Sequence, residues 1–217
     1  MKLYQAKVLN TCPRRVTIYM AEKGISCEIV TVDMRAGEGK SPAHLARHPA
    51  GTVPVLELDD GSFLPDSAAI VEYLEERYPD PPMLGRTIEE RAQIRATERM
   101  ATEFQIRNGV WVVNSDPSVK IRRPDYVQYP DAATFIATSR DTLLKALEGR
   151  IGDSSFLVGE TPTVADCALF AALDTARRLS SYALPDMCPR LQGWFERFGA
   201  RPSAAYPDWA VTAAAAA

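Results

Sequence analysis

The stretch Thr52–Tyr78, TVPVLELDDGSFLPDSAAIVEYLEERY, decides the reading of this chain. Val53 to Leu58 reads as a half-buried strand, and Asp59-Asp60-Gly61-Ser62 is hairpin-turn chemistry that returns Phe63-Leu64 antiparallel to it. Pro65-Asp66-Ser67 then stops the strand and opens a helix. In that helix Ile70, Leu74 and Tyr78 recur four apart with Tyr73 beside them, which predicts a core face and leaves Glu72, Glu75, Glu76 and Arg77 for the other sides.

Three polar devices lie in this stretch. Ser67 is expected at or next to the helix N-cap, where unpaired N–H groups and the positive end of the dipole favour a carboxylate or phosphate. Asp66 beside it favours a cation, so a zwitterionic α-amino acid end satisfies both. Val53-Pro54 is the third: proline cannot donate to a sheet ladder, and a cis bond there would leave the Val53 backbone N–H and C=O to pair with an extended peptide. Each has an ordinary structural explanation when taken alone. Their spacing is what makes a ligand site.

The order V-P, hairpin, [D/E]-S-x-A-I-x-x-Y-L resembles the glutathione-binding half of the glutathione transferase family. Here it is Val53-Pro54 followed by Asp66-Ser67-Ala68-Ala69-Ile70-Val71-Glu72-Tyr73-Leu74. Many relatives carry Glu where this chain has Asp66, so the carboxylate is one methylene shorter.

The remainder of the chain is consistent with that resemblance. Leu3 to Val8 and Glu28 to Val32 read as strands on either side of a helix that opens at Pro13 and closes at Gly24; Ser41-Pro42 caps a short second helix. The first 80 or so residues therefore read βαβαββα, the thioredoxin-like α/β arrangement that the resemblance also implies. Pro79 to Gly85 is a stiff linker. Beyond it the β signals vanish, and Thr87 to Val113, Ala132 to Ile151, Thr163 to Ser181 and Leu191 to Gly199 are predicted helices. Asn114 to Pro130, with Pro117, Pro124 and Pro130, is expected to be a long loop bearing the basic residues Lys120, Arg122 and Arg123. Thr163-Val164-Ala165-Asp166 is a capping-box variant, expected to be structural, and is similar to the buried capping motif of the family's helical domain. The expected domains are 1–78, thioredoxin-like and glutathione-binding; 79–85, linker; and 86–217, all-helical. Ala213–Ala217 is low-complexity.

Composition bounds the possibilities. The chain has 217 residues, 46% apolar and 24% charged, with a formal net charge of -3. That balance gives no general pull toward nucleic acid or anionic membranes. No apolar run of about 18 residues and no leader peptide is read, so a cytoplasmic protein is expected. Cys12, Cys27, Cys167 and Cys188 lie far apart, and with only two histidines, His44 and His48, no metal site is expected.

The resemblance implies glutathione as co-substrate and a small hydrophobic electrophile as its partner, with detoxification as the setting. A free thiol titrates near 8.5, and each unit of lowering needs about 1.4 kcal/mol of preferential thiolate stabilisation. The place for this is the start of the first helix, so Cys12, Asn10 and Thr11 are the candidate catalytic residues. No serine occurs between Met1 and Lys23, and Tyr4 lies in the first strand. Lys40, Thr52, Val53, Pro54, Asp66 and Ser67 are the candidate glutathione-binding residues, with Lys40 for the glycyl carboxylate and His48 or Thr52 adding a hydrogen bond. The electrophile is expected between the domains, against Phe104, Arg107 and Trp111. A homodimer is implied by the resemblance. Two alternatives stand beside conjugation: a glutathione-dependent disulfide reductase or thiol transferase using Cys12 as nucleophile, and a non-catalytic binding protein of the same fold.

Overall fold

The computed structural model describes residues 1–122, 124–180 and 182–205. Arg123, the predicted helix end at Ser181 and the Ala213–Ala217 stretch lie outside them. The described residues divide into two compact units, one made of Met1–Met83 with residues 199–205, the other of Leu84–Phe198.

The first unit holds a four-stranded sheet. Strands β1 (Lys2–Ala6), β2 (Glu28–Val32), β3 (Val55–Glu57) and β4 (Phe63–Pro65) stand in the order β2-β1-β3-β4. β1 runs parallel to β2 and antiparallel to β3, and β3 pairs antiparallel with β4. Helices α1 (Thr11–Lys23), α2 (Pro42–Arg47) and α3 (Ser67–Arg77) complete βαβαββα. The crossover through α1 is what the parallel β1–β2 pair requires, since parallel strands cannot be joined by a tight turn. Tyr4, Ala6, Val32, Val53 and Val55 form a buried cluster of the sheet.

Two local expectations change. α1 starts at Thr11, with Asn10 in extended conformation as N-cap accepting from the Cys12 N–H at 3.3 Å, so Pro13 is the third helical residue instead of the first. This costs no helical bond, because the first four N–H groups of a helix lack intrahelical partners in any case. Glu75, assigned by periodicity to an outer face, is buried. Its carboxylate accepts from the Tyr19 hydroxyl at 2.6 Å and the Met83 N–H at 2.7 Å, and pairs with Lys23 at 2.9 Å. A buried charge is tolerated when paired and hydrogen-bonded, and only the tertiary structure supplies those partners.

The segment from Gly199, expected with the helical domain, belongs to the first unit. Ala204 O accepts from the buried Arg14 Nη2 at 2.7 Å, and Arg201 grips Glu22 through two bonds of 2.7 and 2.8 Å with Ser203 adding a third. Burial disfavours a charged Glu22, yet these bonds outweigh it and hold the carboxyl below its ordinary range.

The second unit is helical: α4 (Ile88–Ser115), α5 (Ser118–Arg122), α6 (Pro130–Ile151), α7 (Val164–Ser180) and α8 (Pro189–Gly199). α4 opens on a full capping box of Thr87 and Glu90. The expected 114–130 loop contains the short α5, and α6 starts on Pro130 itself. α7 is buried along nearly its whole length, with Phe170 stacked on Phe195 at 5.0 Å and close to Phe198 at 4.9 Å. Asp166 is the hub of this packing. It is 0% exposed and accepts four hydrogen bonds, from the Leu157 N–H, the Thr163 N–H and hydroxyl, and the Trp194 indole, all within 2.8–2.9 Å. The Thr163 hydroxyl donates to Asp166 instead of accepting from the helix, so the motif works as a cross-link between three segments.

Candidate functional site

The β3–β4 register brings the ligand-facing devices together. Val55 stands opposite Pro65, so the segment that enters β3 and the segment that leaves β4 start from the same end of the hairpin. Val53-Pro54 lead into β3 and Asp66-Ser67 follow β4, Ser67 being already the first residue of α3. The Val53–Pro54 bond is cis, and Val53 precedes the ladders, which begin at Val55.

Asp66, not Ser67, is the N-cap of α3. Its Oδ1 accepts from both the Ala68 and Ala69 N–H groups, at 2.8 and 3.0 Å. Asp66 is also the one non-glycine residue with positive φ among the described residues, at 77°. Such a conformation costs on the order of 1–3 kcal/mol and persists where the surroundings impose it, commonly at ligand sites. Asp66 is exposed, and Ser67 follows as the first helical residue, 6% exposed.

At the start of α1 the first turn carries no acidic side chain, and Arg14 and Arg15 follow directly. An anion arriving there meets the positive end of the helix dipole without a competing carboxylate. Asn10 is exposed, whereas Thr11 and Cys12 are half-buried. The Asn10 side chain is occupied as a cap. Tyr4, on the neighbouring strand β1, is committed elsewhere. It is buried, donates to Glu57 at 2.7 Å, and burial together with that bond raises its pKa.

Lys40 is exposed and donates to the Ala50 carbonyl at 3.0 Å. The His48 Nδ1 accepts from the Ala50 N–H at 3.3 Å, which places the ring hydrogen of a neutral His48 on Nε2, 2.8 Å from the Thr52 Oγ1. Thr52 thus accepts from His48, and its own hydroxyl hydrogen is left to point elsewhere. Lys40, Thr52, Val53, Pro54, Asp66 and Ser67 all lie in the first unit, on α3, on the β3–β4 hairpin or on the loops that flank α2.

The three electrophile candidates lie on α4 and separate. Phe104 is 0% exposed and packs against Tyr182 with ring centroids 6.3 Å apart, so it is a core residue and not a pocket wall; the apolar periodicity that named it could not tell the two apart. Arg107 is half-buried and held by Glu103 at 2.9 Å and the Ser139 carbonyl at 3.1 Å. Trp111 is half-buried, with the Arg140 guanidinium 4.4 Å from its ring and Tyr182 at 6.0 Å. Arg140 and Tyr182 carry no sequence signal that would have joined them to Trp111, because they sit 29 and 71 positions further along the chain. Among the described residues no group of three or more His, Cys, Asp or Glu side chains could hold a metal ion, and no helix is long and apolar enough to cross a membrane.

A thioredoxin-like unit with these groups around its β3–β4 hairpin, followed by an all-helical region, defines a class of protein. Comparison with known proteins makes the assignment specific. Residues 11–77 match the family described as glutathione S-transferase, N-terminal domain, and residues 137–202 match its C-terminal domain. The chain is 31% identical to glutathione S-transferase 2 of Saccharomyces cerevisiae, over 88% of this chain and 82% of that one. It is 32% identical to maleylacetoacetate isomerase of Pseudomonas aeruginosa, over 94% and 93% of the two chains. The crystal structure of a glutathione S-transferase domain-containing protein from Marinobacter aquaeolei superposes with a TM-score of 0.82 at 30% identity, covering 94% of this chain and all of that one. The chain belongs to the glutathione S-transferase family.

Proposed function

We propose that the protein is a glutathione transferase that joins the sulfur of glutathione to a small hydrophobic electrophile. The observation that carries this reading is the hairpin register, which brings the segment entering β3 through Val53-Pro54 and the segment leaving β4 through Asp66-Ser67 to the same end of the hairpin. In this reading the γ-glutamyl end binds there, its ammonium on the Asp66 carboxylate and its carboxylate on the start of α3 at Ser67. The peptide backbone of glutathione pairs with Val53, which Pro54 holds at the mouth of the site. The glycyl carboxylate faces Lys40 and the Thr52 hydroxyl. The cysteinyl sulfur lies at the start of α1, where the helix dipole and the polar groups of Asn10, Thr11 and Cys12 favour its thiolate. That thiolate attacks the electrophilic carbon and the leaving group departs with the bonding pair, or the adduct takes up a proton where no group leaves. Arg107 and Trp111, with part of their surface exposed, are retained as electrophile contacts; Phe104 is dropped.

A second reading is supported by Cys12, which is half-buried at the second position of α1. There its thiolate would attack a glutathione disulfide, form a mixed disulfide and release glutathione thiolate. By resemblance to the family, a cytoplasmic homodimer is also proposed.

The direct test is conjugation of glutathione to an activated chloroarene. The transferase reading expects saturable product formation with both substrates, and absence of enzymatic conjugation across several electrophile classes would contradict it. Glutathione mass covalently added to Cys12 during turnover of a mixed disulfide would promote the second reading.

A further inference from the structure

The chain has two histidines, and both close on the same residue. His44 lies on α2 and is 1% exposed; its Nε2 stands 3.0 Å from the Thr52 carbonyl oxygen. A carbonyl can only accept, so Nε2 carries the hydrogen. His48, four residues on and the C-cap of α2, donates through Nε2 to the hydroxyl of the same threonine. Thr52 is therefore held at its backbone by one imidazole and at its side chain by the other. The spacing follows from the helix: residues four apart lie on one face, so a short helix ending at His48 points both rings at one partner.

The rest of the segment reinforces this grip. Ser41 caps α2 by accepting from the His44 N–H at 3.2 Å, and Lys40 reaches the Ala50 carbonyl. The backbone approaches so closely that a Cβ on Gly39 would stand 2.7 Å from the Gly51 carbonyl oxygen. The loop before α2 and the segment leading to Val53 are thus locked together where no side chain fits.

We infer that His44 and His48 are positioning residues for glutathione: His44 fixes the backbone entering Val53, and His48 turns the Thr52 hydroxyl so that its hydrogen faces the ligand. This rests on the proposed binding of glutathione along Val53. Neither imidazole touches the ligand; both act through Thr52. Pre-setting these groups removes an ordering cost that would otherwise weaken binding.

The test is a double-mutant cycle read in the KM for glutathione. Thr52→Val and His48→Ala alter an exposed and a half-buried side chain, so both variants are expected to fold. Each is expected to raise that KM several-fold, about three- to tenfold for one lost or misdirected hydrogen bond. kcat at saturating glutathione and the KM for the electrophile are expected to change less than twofold. Because His48 works through the Thr52 hydroxyl, the double variant is expected to match Thr52→Val alone. Multiplying effects, or no effect of His48→Ala, overturns the assignment of His48. For His44, Gln keeps a terminal N–H at similar reach and Leu keeps only the volume. His44→Leu is expected to raise the KM for glutathione about tenfold and His44→Gln to restore it to within about threefold. Equal values for the two overturn the role of His44. If the wild-type protein fails to bind glutathione, the reading of the site falls and the inference with it. Wild-type binding with unchanged variants sinks the inference alone.

Discussion

Asp66 and Asp166 both sit at the start of a helix, and they do opposite things. Asp166 in the helical unit is fully enclosed, and both its oxygens are consumed by donors from three separate segments. Asp66 in the thioredoxin-like unit is exposed, spends one oxygen on its own helix and keeps a positive φ. A helix N-terminus offers the same unpaired donors in both places. Where protein groups saturate it, the terminus becomes a structural joint. Where the capping carboxylate is exposed and one of its oxygens is left over, as at Asp66, the terminus stays open to the ligand proposed for it.

The largest expected effect separates the two. Asp166→Ala leaves buried donors of Leu157, Thr163 and Trp194 unsatisfied, and is expected to destabilise the protein by about 3–5 kcal/mol, more than a helix cap alone, which is worth about 1 kcal/mol. Chemical denaturation checks this, and the fraction that remains folded is expected to bind glutathione as the wild type does. A folded, normally stable variant that no longer binds glutathione would contradict the contrast.

Asp66→Ala is the converse. It removes a cap and a charged partner for the ligand, so it is expected to cost about 1 kcal/mol of stability but about 2–3 kcal/mol of glutathione binding, roughly 30- to 150-fold in Kd. Calorimetric titration measures the binding and chemical denaturation the stability. Asp66→Asn, which keeps the cap, is expected to recover the stability and little of the binding.

The smallest effect concerns the clasp of Glu22 with Arg201 and Ser203, which ties the segment from Gly199 to α1. The folded-state carboxyl titrates below its unfolded value, so its contribution is present above the unfolded pKa of about 4.3 and is lost as pH falls through the lower folded value. Glu22→Gln is expected to lower stability by about 1 kcal/mol at pH 7. The difference from wild type is expected to shrink progressively in melts taken further and further below the unfolded pKa. A difference that persists unchanged in acid would show that charge is not what the clasp uses.

The same contrast explains what could be read from the sequence. The Thr52–Tyr78 stretch combines strand, turn and cap signals that act within a few residues, so the hairpin and α3 were legible, as was the βαβαββα order. Val53, Pro54, Asp66 and Ser67 could be singled out because the hairpin register depends only on a local turn. What was missed depends on distant partners. Glu75 looked like a surface residue until Tyr19, Lys23 and Met83 surround it, and Phe104 looked like a pocket residue because helical periodicity does not distinguish a core face from a ligand face. The segment from Gly199 returns to α1 through Arg14 and Glu22, far away in sequence. His44 was passed over because a lone helical histidine has no pattern until its carbonyl partner is known.

The account rests on a glutathione thiol being ionised at the start of α1 once the tripeptide is held at Val53, Asp66 and Ser67. The ultraviolet absorbance of thiolate in the wild-type complex, followed across pH and repeated with Cys12→Ala, tests this directly. The account predicts that bound glutathione ionises at least one pH unit below the free thiol, near 8.5, and that Cys12→Ala keeps this behaviour. A bound thiol that titrates like the free one, or a lowered value that disappears with Cys12, would contradict it.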